Sequence, residues 1–482
     1  MKLLSLLLKD SLFYGGADFA GKIVVFLLFP LLAGLLSPSG FGYMEILYVS
    51  SAMLGFFVRG GLNNSIQRYY WSEQYGTQQK KILVGTGLLM VSAYAVVLLV
   101  VMFLLRDWLV VISGELGVVL TAVGVLAMTL LAVVTQFQQF FLDVMRLGFL
   151  KLSFLGFSLC CRITVYVGAF LLVFFGVADV DGFILALAIG GLIFLPFGCY
   201  LIRRAIQLKF DSSVARILFK YGYPFIFVDI AYWLFSSIDR WMLASMKGLD
   251  SVGEYSVAWR MASIVMFISM AFGLAWSPHA IKLKTDFPEQ YKQIYSVVLT
   301  AVLAVFVLIA GCASIFSGEI LHVLFAGKYD SVALALIILV LCVVLQATHH
   351  VIALGISLEG KTHWFARLAW FAVLINIVGN YFFLPIWGVN GAAVSTLLSY
   401  VFLTVAYYYI SRKLHYIPYD YMRLALLFFV LCALVVFSIM LQTYELSFVS
   451  IFLKVFVLIV AAFFCLWIMR GYLDLTLLRV MK

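Results

Sequence analysis

The sequence holds 482 residues, 65% of them hydrophobic and 11% charged, with a formal net charge of +10. Soluble domains run nearer ~45–50% apolar and ~25% charged, so a soluble enzyme or binding module is excluded and a polytopic membrane protein is indicated. The positive charge is no nucleic-acid signal, because no basic run with interleaved aromatics forms a soluble patch; in a membrane chain it records which loops stay in the cytoplasm.

The opening, MKLLSLLLKDSLFYGG, has too short an apolar core for a cleaved signal peptide and reads as an amphipathic lead-in to an uncleaved first span. Fourteen apolar segments then follow in chain order. The first six lie near 12–36, 41–66, 82–105, 116–140, 150–175 and 183–202. The next four lie near 222–246, 252–280, 294–317 and 331–356, and the last four near 363–386, 390–410, 422–442 and 448–469. Each is long enough to cross a bilayer as a helix. With the N-terminus inside, 22 of the 32 Lys and Arg fall in inward connections and 3 in outward ones, the rest lying within spans. That bias places both termini in the cytoplasm. All outward loops are short, the longest near 317–331, so any chemistry takes place within or at the edge of the membrane.

An internal echo divides the chain. Tyr43, Gly61 and Leu62 recur at one fixed offset as Tyr255, Gly273 and Leu274, and Gly176-Val177 recurs at that same offset as Gly388-Val389. The all-α chain therefore reads as an N-lobe over 1–205 (spans one to six), a cytoplasmic linker over 206–221 and a C-lobe over 222–415 (spans seven to twelve). A C-terminal helix pair over 416–482 supplies spans thirteen and fourteen.

Several motifs dissolve on inspection. Gly355 to Thr362 fits the pattern of a phosphate-binding loop, but a spanning helix precedes it where a strand is required, so Gly360-Lys361 is read as a tight inward turn. The seven cysteines sit in apolar runs without zinc-like spacing and read as small fillers. Adjacent His349 and His350 point about 100° apart on a helix and make poor joint metal ligands. No Ser/His/Asp or paired-carboxylate pattern demands catalysis, and neither a metal nor a cofactor is expected.

The charges inside spans carry the information, because one at mid-bilayer costs at least ~2.5–3.5 kcal/mol. Asp229, Tyr232, Ser236 and Asp239/Arg240 follow helical spacing and are expected to share a polar face of span seven. Span eight adds Glu254 and Arg260. Asp18 and Lys22 are four apart in span one, as are Arg59 and Asn63 at the end of span two and Asn376 and Asn380 in span eleven. Lys22 and Arg162 fall near mid-depth, whereas Glu45, Glu254, Arg367 and Lys454 lie close enough to span ends to reach the interface. Lys22, Arg59, Asn63, Arg162, Arg240 and Arg260 are the candidate ligands for an anionic substrate. Asp18, Asp229 and Asp239 are the candidates for coupling transport to H+ or Na+.

The stretch KDSLFYGGADFAGKIVVFLLFPLLAGLLSPSGFGY (to Tyr43) resembles the opening of polysaccharide-biosynthesis membrane proteins, the O-antigen and lipid-linked oligosaccharide flippases. GLNNSIQRYY from Gly61, Asp239-Arg240 followed by Gly253-Glu-Tyr255, and the turn Gly388-Val-Asn-Gly391 are similar too. The resemblance runs over about residues 5–410. It implies a branch of the superfamily that includes multidrug exporters and lipid II flippases, with two six-helix lobes in a V and alternating access. It further implies transfer of an undecaprenyl-pyrophosphate-linked sugar repeat across the bacterial inner membrane, with other polysaccharide-assembly membrane proteins as partners. An ion-coupled drug exporter on the same fold is the alternative, expected to have a carboxylate-dominated cavity; a membrane polymerase or ligase of the pathway would need a large outward loop.

Overall fold

The structure is a computed structural model and describes residues 21, 23–72, 76–442 and 447–473. Among them the fold is entirely helical. The order is α1 (Ile23–Leu35), α2 (Pro38–Arg59), α3 (Leu62–Tyr70), α4 (Thr77–Glu115), α5 (Ala122–Leu147) and α6 (Lys151–Phe174). Then come α7 (Val180–Ile193), α8 (Leu195–Ile202), α9 (Ser212–Lys247), α10 (Leu249–Asp286), α11 (Tyr291–Ile315) and α12 (Ser317–Phe325). The chain closes with α13 (Ala333–Ile352), α14 (Leu354–Leu358), α15 (His363–Leu414), α16 (Tyr421–Met440) and α17 (Phe448–Leu473).

Among the described residues, eleven helical stretches are long and apolar enough to cross a membrane, against the fourteen segments expected. The difference has three sources. Only part of the first segment is described, as the shorter α1. α9 is diluted by Arg216, Lys220, Asp229, Asp239, Arg240 and Lys247, and carries Pro224 within it. α15 is one continuous helix in name only: Gly388 adopts φ 54°, ψ −126° and turns the chain back. The added Cβ of an alanine at Gly379 would lie 3.0 Å from the Ser395 hydroxyl, a contact between residues that a straight helix holds about 24 Å apart. Spans eleven and twelve are therefore a hairpin. Gly176, the repeat partner of Gly388, also takes a left-handed φ, of 69°. The repeat read from the sequence thus places a left-handed glycine at both of its turns.

The chain divides into two compact units, residues 1–237 with 248–252, and 238–247 with 253–482. In the first, α5 packs against α2, α4, α6, α7 and α8. Phe140, Phe141, Phe154 and Phe157 fill the space between these helices together with Leu62 and Ile66 of α3. The connection after α8 is strapped onto this unit. The Gln207 amide donates to the Lys81 carbonyl at 3.1 Å, and Thr86 Oγ1 donates to the Lys209 carbonyl at 3.1 Å. Asp211 then caps α9, accepting from the Ser213 hydroxyl and from the Ser213 and Val214 amides. The Ser213 hydroxyl and then the Val214 N–H hold its carboxyl below the usual carboxylate range. The start of α9 docks where α2 ends: an added Cβ at Gly61 (φ 69°) would lie 2.0 Å from the Gly222 carbonyl oxygen, and Ser65 Oγ donates to the Leu218 carbonyl at 2.8 Å.

In the second unit α13 packs against α11 and α15, and α11 also carries α16 and α17. Two expectations are corrected here. The stretch near 317–331, expected as an outward loop, contains α12, whose Glu319 is 3% exposed. Lys454 does not reach for the interface: it is 0% exposed and donates to Glu319 Oε1 at 2.5 Å, because α17 packs on α11 and hides its inner face. In the first unit Glu45 is likewise buried, at 2% exposure, rather than snorkelling. Arg367 does follow the interfacial pattern, exposed and 5.3 Å above the Trp364 ring. α4 also runs on to Glu115, so Arg106 and Asp107 lie on a helix and not in a loop.

Candidate functional site

The first unit builds one polar cluster at the end of α2. Arg59 and Asn63 were expected on one helical face. Instead Gly60 (φ 55°) and Gly61 (φ 69°) break the helix between them, placing Arg59 on α2 and Asn63 on α3. The break still leaves both lining one cavity of about 10 Å³, room for about one water, with Gln136, Gln139 and Asp143 of α5. Arg59 Nε donates to Gln136 Oε1 at 3.0 Å. Gln139 Nε2 donates to Asp143 Oδ1 at 2.9 Å, and Arg146 approaches the same oxygen at 3.8 Å. The Arg59 charge acts on both Asp143 and Asp229. Two groups remain unused among the described residues: the terminal amino groups of Arg59 have no hydrogen-bond acceptor, and Asn63 Oδ1 is buried without a donor. Gln136, Gln139 and Asp143 were not singled out from the sequence, although their spacing of three and four was a legible signal.

The second unit builds a closed knot. Asp239 and Arg240 on α9 are 2% and 4% exposed. The α15 hairpin delivers Asn376 and Asn380 from its first arm and Thr396 from its second. Asp239 Oδ1 accepts from Asn380 Nδ2 at 2.6 Å, and Oδ2 accepts from Tyr255 OH at 2.6 Å and Thr396 Oγ1 at 3.0 Å. Asn380 Nδ2 also donates to Asn376 Oδ1 at 3.0 Å. Arg240 Nε donates to Ser256 Oγ at 3.2 Å, with its guanidinium 5.8 Å from the centroid of the Tyr255 ring. The buried carboxylate is thus matched by three donors and a neighbouring cation, the arrangement that burial of a charge requires. One acceptor is left over: Asn380 Oδ1 is buried with no hydrogen-bond partner. An all-oxygen set of carboxylate, amide and hydroxyl suits a hard cation or a proton rather than a soft metal. Among the described residues no group of three or more His, Cys, Asp or Glu is placed to hold a metal.

The remaining candidates are spread out. Asp229 is half-buried in the first unit, while Asp239 and Arg240 belong to the second, so the polar face expected along span seven is divided between two bodies. Arg162 on α6 is half-buried against Gly21, where an added Cβ would meet its Cδ at 2.9 Å. Arg260 is half-buried on α10. Asp18 and Lys22 lie outside the described residues. His349 is held by structure: its Nε2 hydrogen-bonds with Thr404 Oγ1 at 2.7 Å, and its ring contacts those of Tyr400 and Tyr407.

Comparison with known proteins places the chain in a family. A model of the family described as polysaccharide biosynthesis protein matches residues 7–284, and one described as MatE matches residues 224–382. The chain is 28% identical over 263 residues to a probable low-salt glycan biosynthesis flippase, Agl15, of Haloferax volcanii. That match covers 53% of this chain and 55% of the relative, so the chain spans about half the length of that protein. An uncharacterised membrane protein of Methanocaldococcus jannaschii is 22% identical over 431 residues, covering 85% of this chain and 100% of that one. Among solved structures, the lipid II flippase MurJ in an inward closed conformation superposes with a TM-score of 0.74 at 14% identity, covering 96% of this chain and 99% of MurJ. An inward-facing multidrug resistance transporter of the MATE family gives 0.60 at 13% identity, covering 84% of this chain and 94% of that one. Identities this low establish the fold.

Proposed function

The chain belongs to the polysaccharide biosynthesis protein family, and from that premise we propose that it is a flippase for a lipid-linked oligosaccharide. The substrate is an undecaprenyl-pyrophosphate-linked repeat unit of O-antigen or another surface polysaccharide. It moves from the inner to the outer leaflet of the bacterial inner membrane by alternating access, with both termini of the chain in the cytoplasm. The observation that carries this reading is Arg59: half-buried, oriented through Nε by Gln136, and with both terminal amino groups unused. A guanidinium held through Nε, with terminal amino groups that have no acceptor among the described residues, has the donors for two parallel hydrogen bonds to a phosphate. Asn63 Oδ1 beside it is an acceptor for a sugar hydroxyl. Lys22, Arg162 and Arg260 are the further cations proposed for the substrate, whereas Arg240, expected among them, is buried beside Asp239; the prenyl tail stays in lipid while the polar head crosses.

Coupling is assigned to Asp239, with Asp18 and Asp229 as further candidates. The spare Asn380 Oδ1 beside an Asp239 carboxylate already oriented by three donors supports binding of Na+ or H+ at that point. A second reading, ion-coupled export of a small molecule, draws on the MatE match across residues 224–382, which contains Asp239, Tyr255 and Asn380 of this knot.

The test is Arg59→Gln in the native host. Normal amounts of inserted protein, absent surface glycan and lipid-linked repeats accumulating on the inner leaflet are expected. Undiminished surface glycan would refute the assignment, and raised sensitivity to small cationic toxins with glycan intact would favour the exporter.

A further inference from the structure

A second cavity, of about 450 Å³, lies wholly within the first unit and has no part in the site above. It falls in the size range of small-molecule sites. Three connections that are far apart in sequence build it: the one entering α4, the one entering α6 and the one leaving α8. Lys80, Lys81, Arg203 and Arg204 line it, and no carboxylate does so among its described residues. None of the four cations has an ion-pair partner among the described residues. Four like charges around one hollow repel each other, and a bound anion removes that cost.

Two of the four cations are held against aromatic rings. Lys80 Nζ lies 5.3 Å from the Tyr70 ring centroid and 5.2 Å from that of Trp71, and the Arg203 guanidinium lies 3.9 Å from the Tyr200 ring. Gln78 Nε2 donates to Gln207 Oε1 at 2.6 Å, fastening the connection after α8 to the start of α4. At the cavity's edge Phe149 takes a left-handed φ of 53°, rare for a bulky residue, and packs 5.8 Å from Trp71. The surroundings are apolar and open. Phe149 and Leu152 at the start of α6 are 58% and 81% exposed, next to the lining residue Leu150. A charged hollow with an apolar flank fits a molecule with an anionic head and fatty chains, whereas a soluble phosphate would use only the hollow.

We propose that this cavity binds the phosphate headgroup of an anionic glycerophospholipid of the inner leaflet, its acyl chains lying along the start of α6. Basic pockets between membrane helices at the cytoplasmic surface take such headgroups, and the cation bias of this end places it there. The site is distinct from the proposed transport path and does not depend on the chain being a flippase.

The full-length protein, stripped of lipid in neutral detergent, is incubated with phosphatidylglycerol or phosphatidylcholine and its retained adducts are read by native mass spectrometry. Retention of phosphatidylglycerol over phosphatidylcholine is expected, falling on the order of fivefold for each cation removed in Lys80→Gln and Arg203→Gln. Ser153→Trp places a bulky ring in the cavity while leaving every topology-setting charge in place, so it is expected to weaken the adduct while inserting normally. Lys282→Gln with Lys284→Gln, in the second unit, should change nothing. Equal retention of the two lipids, or unchanged phosphatidylglycerol binding in both cation variants and in Ser153→Trp, overturns the proposal. Displacement by millimolar inorganic phosphate would assign the cavity to a free anion, and preferential capture of undecaprenyl pyrophosphate would assign it to the transport substrate. Either outcome overturns the phospholipid assignment.

Discussion

Removing Lys454 tests how the C-terminal helix pair is held. The ammonium is 0% exposed and lies 2.5 Å from Glu319 Oε1, itself on a residue 3% exposed, with the Phe316 ring centroid 5.8 Å away. Lys454→Met therefore removes the buried ammonium from a carboxylate that is itself buried. Breaking one partner of a buried pair costs about 3–5 kcal/mol, whereas replacing both by apolar or neutral groups of like volume is often neutral. For a unit of this size each kcal/mol moves the melting temperature by roughly 2–4 °C, so Lys454→Met or Glu319→Gln alone should lower Tm by roughly 6–20 °C. The double variant should recover most of that loss. The assay is thermal unfolding of the purified protein in detergent, followed by tryptophan fluorescence, as a double-mutant cycle. Single variants within about 1 kcal/mol of wild type, or losses that add in the double variant, would refute the reasoning, since both results require the two groups to be independent or hydrated.

Three further outcomes follow from the geometry. Tyr255→Phe removes one of the three donors to Asp239 and should cost about 1–3 kcal/mol in thermal unfolding, and it should weaken any Na+- or pH-dependence of transport; unchanged stability would mean the knot is hydrated. Gly61→Ala places a methyl 2.0 Å from the Gly222 carbonyl oxygen at a left-handed φ, so a loss of folded protein on size exclusion is expected, while Gly76→Ala, which has open space, should be tolerated. Single cysteines at Ser39, Asp250 and Asn390 should label from outside and one at Lys284 from inside; outside labelling at 284 would invert the arrangement.

What was legible in the sequence was what depends on period and charge. Hydropathy located the helices because bilayer thickness dictates their length, and Gly388-Val-Asn-Gly391 was read as a turn through the family resemblance. What was hidden depends on tertiary packing. Lys454 lies near the start of α17, within snorkelling reach of the interface by count, and only the packing of that helix on α11 reveals the burial. Glu319 lay in a stretch too short to read as a helix. The Asp239 knot needed the α15 hairpin: Asn376 and Asn380 were legible as a pair at helical spacing, but nothing in sequence spacing brings Thr396 back to them. The Arg59 cluster was missed in part because Asp143 was read as lying beyond the end of its span, whereas α5 continues to Leu147.

The repeat also bears on how function is divided between the halves. Tyr43 and Tyr255 are repeat partners, and each hydroxyl is engaged with a threonine. In the first unit Tyr43 OH accepts from the Thr121 amide, and Thr121 Oγ1 donates to Asp181 of α7. In the second unit Tyr255 donates directly to Asp239 of α9. The two halves thus keep the tyrosine and its threonine contact but take the carboxylate from different helices. The tyrosines match at the repeat offset, but the threonines do not: Ala333 stands at that offset from Thr121 and Ile184 at that from Thr396. Asp239 likewise has no acidic counterpart there, where Leu27 stands. Each unit buries a carboxylate in this network, Asp181 in the first and Asp239 in the second, and Asp239 has the spare Asn380 Oδ1 beside it. The different helix that supplies the carboxylate, and the spare amide oxygen beside it, are the reasons coupling is proposed for the second unit and substrate recognition at Arg59 for the first.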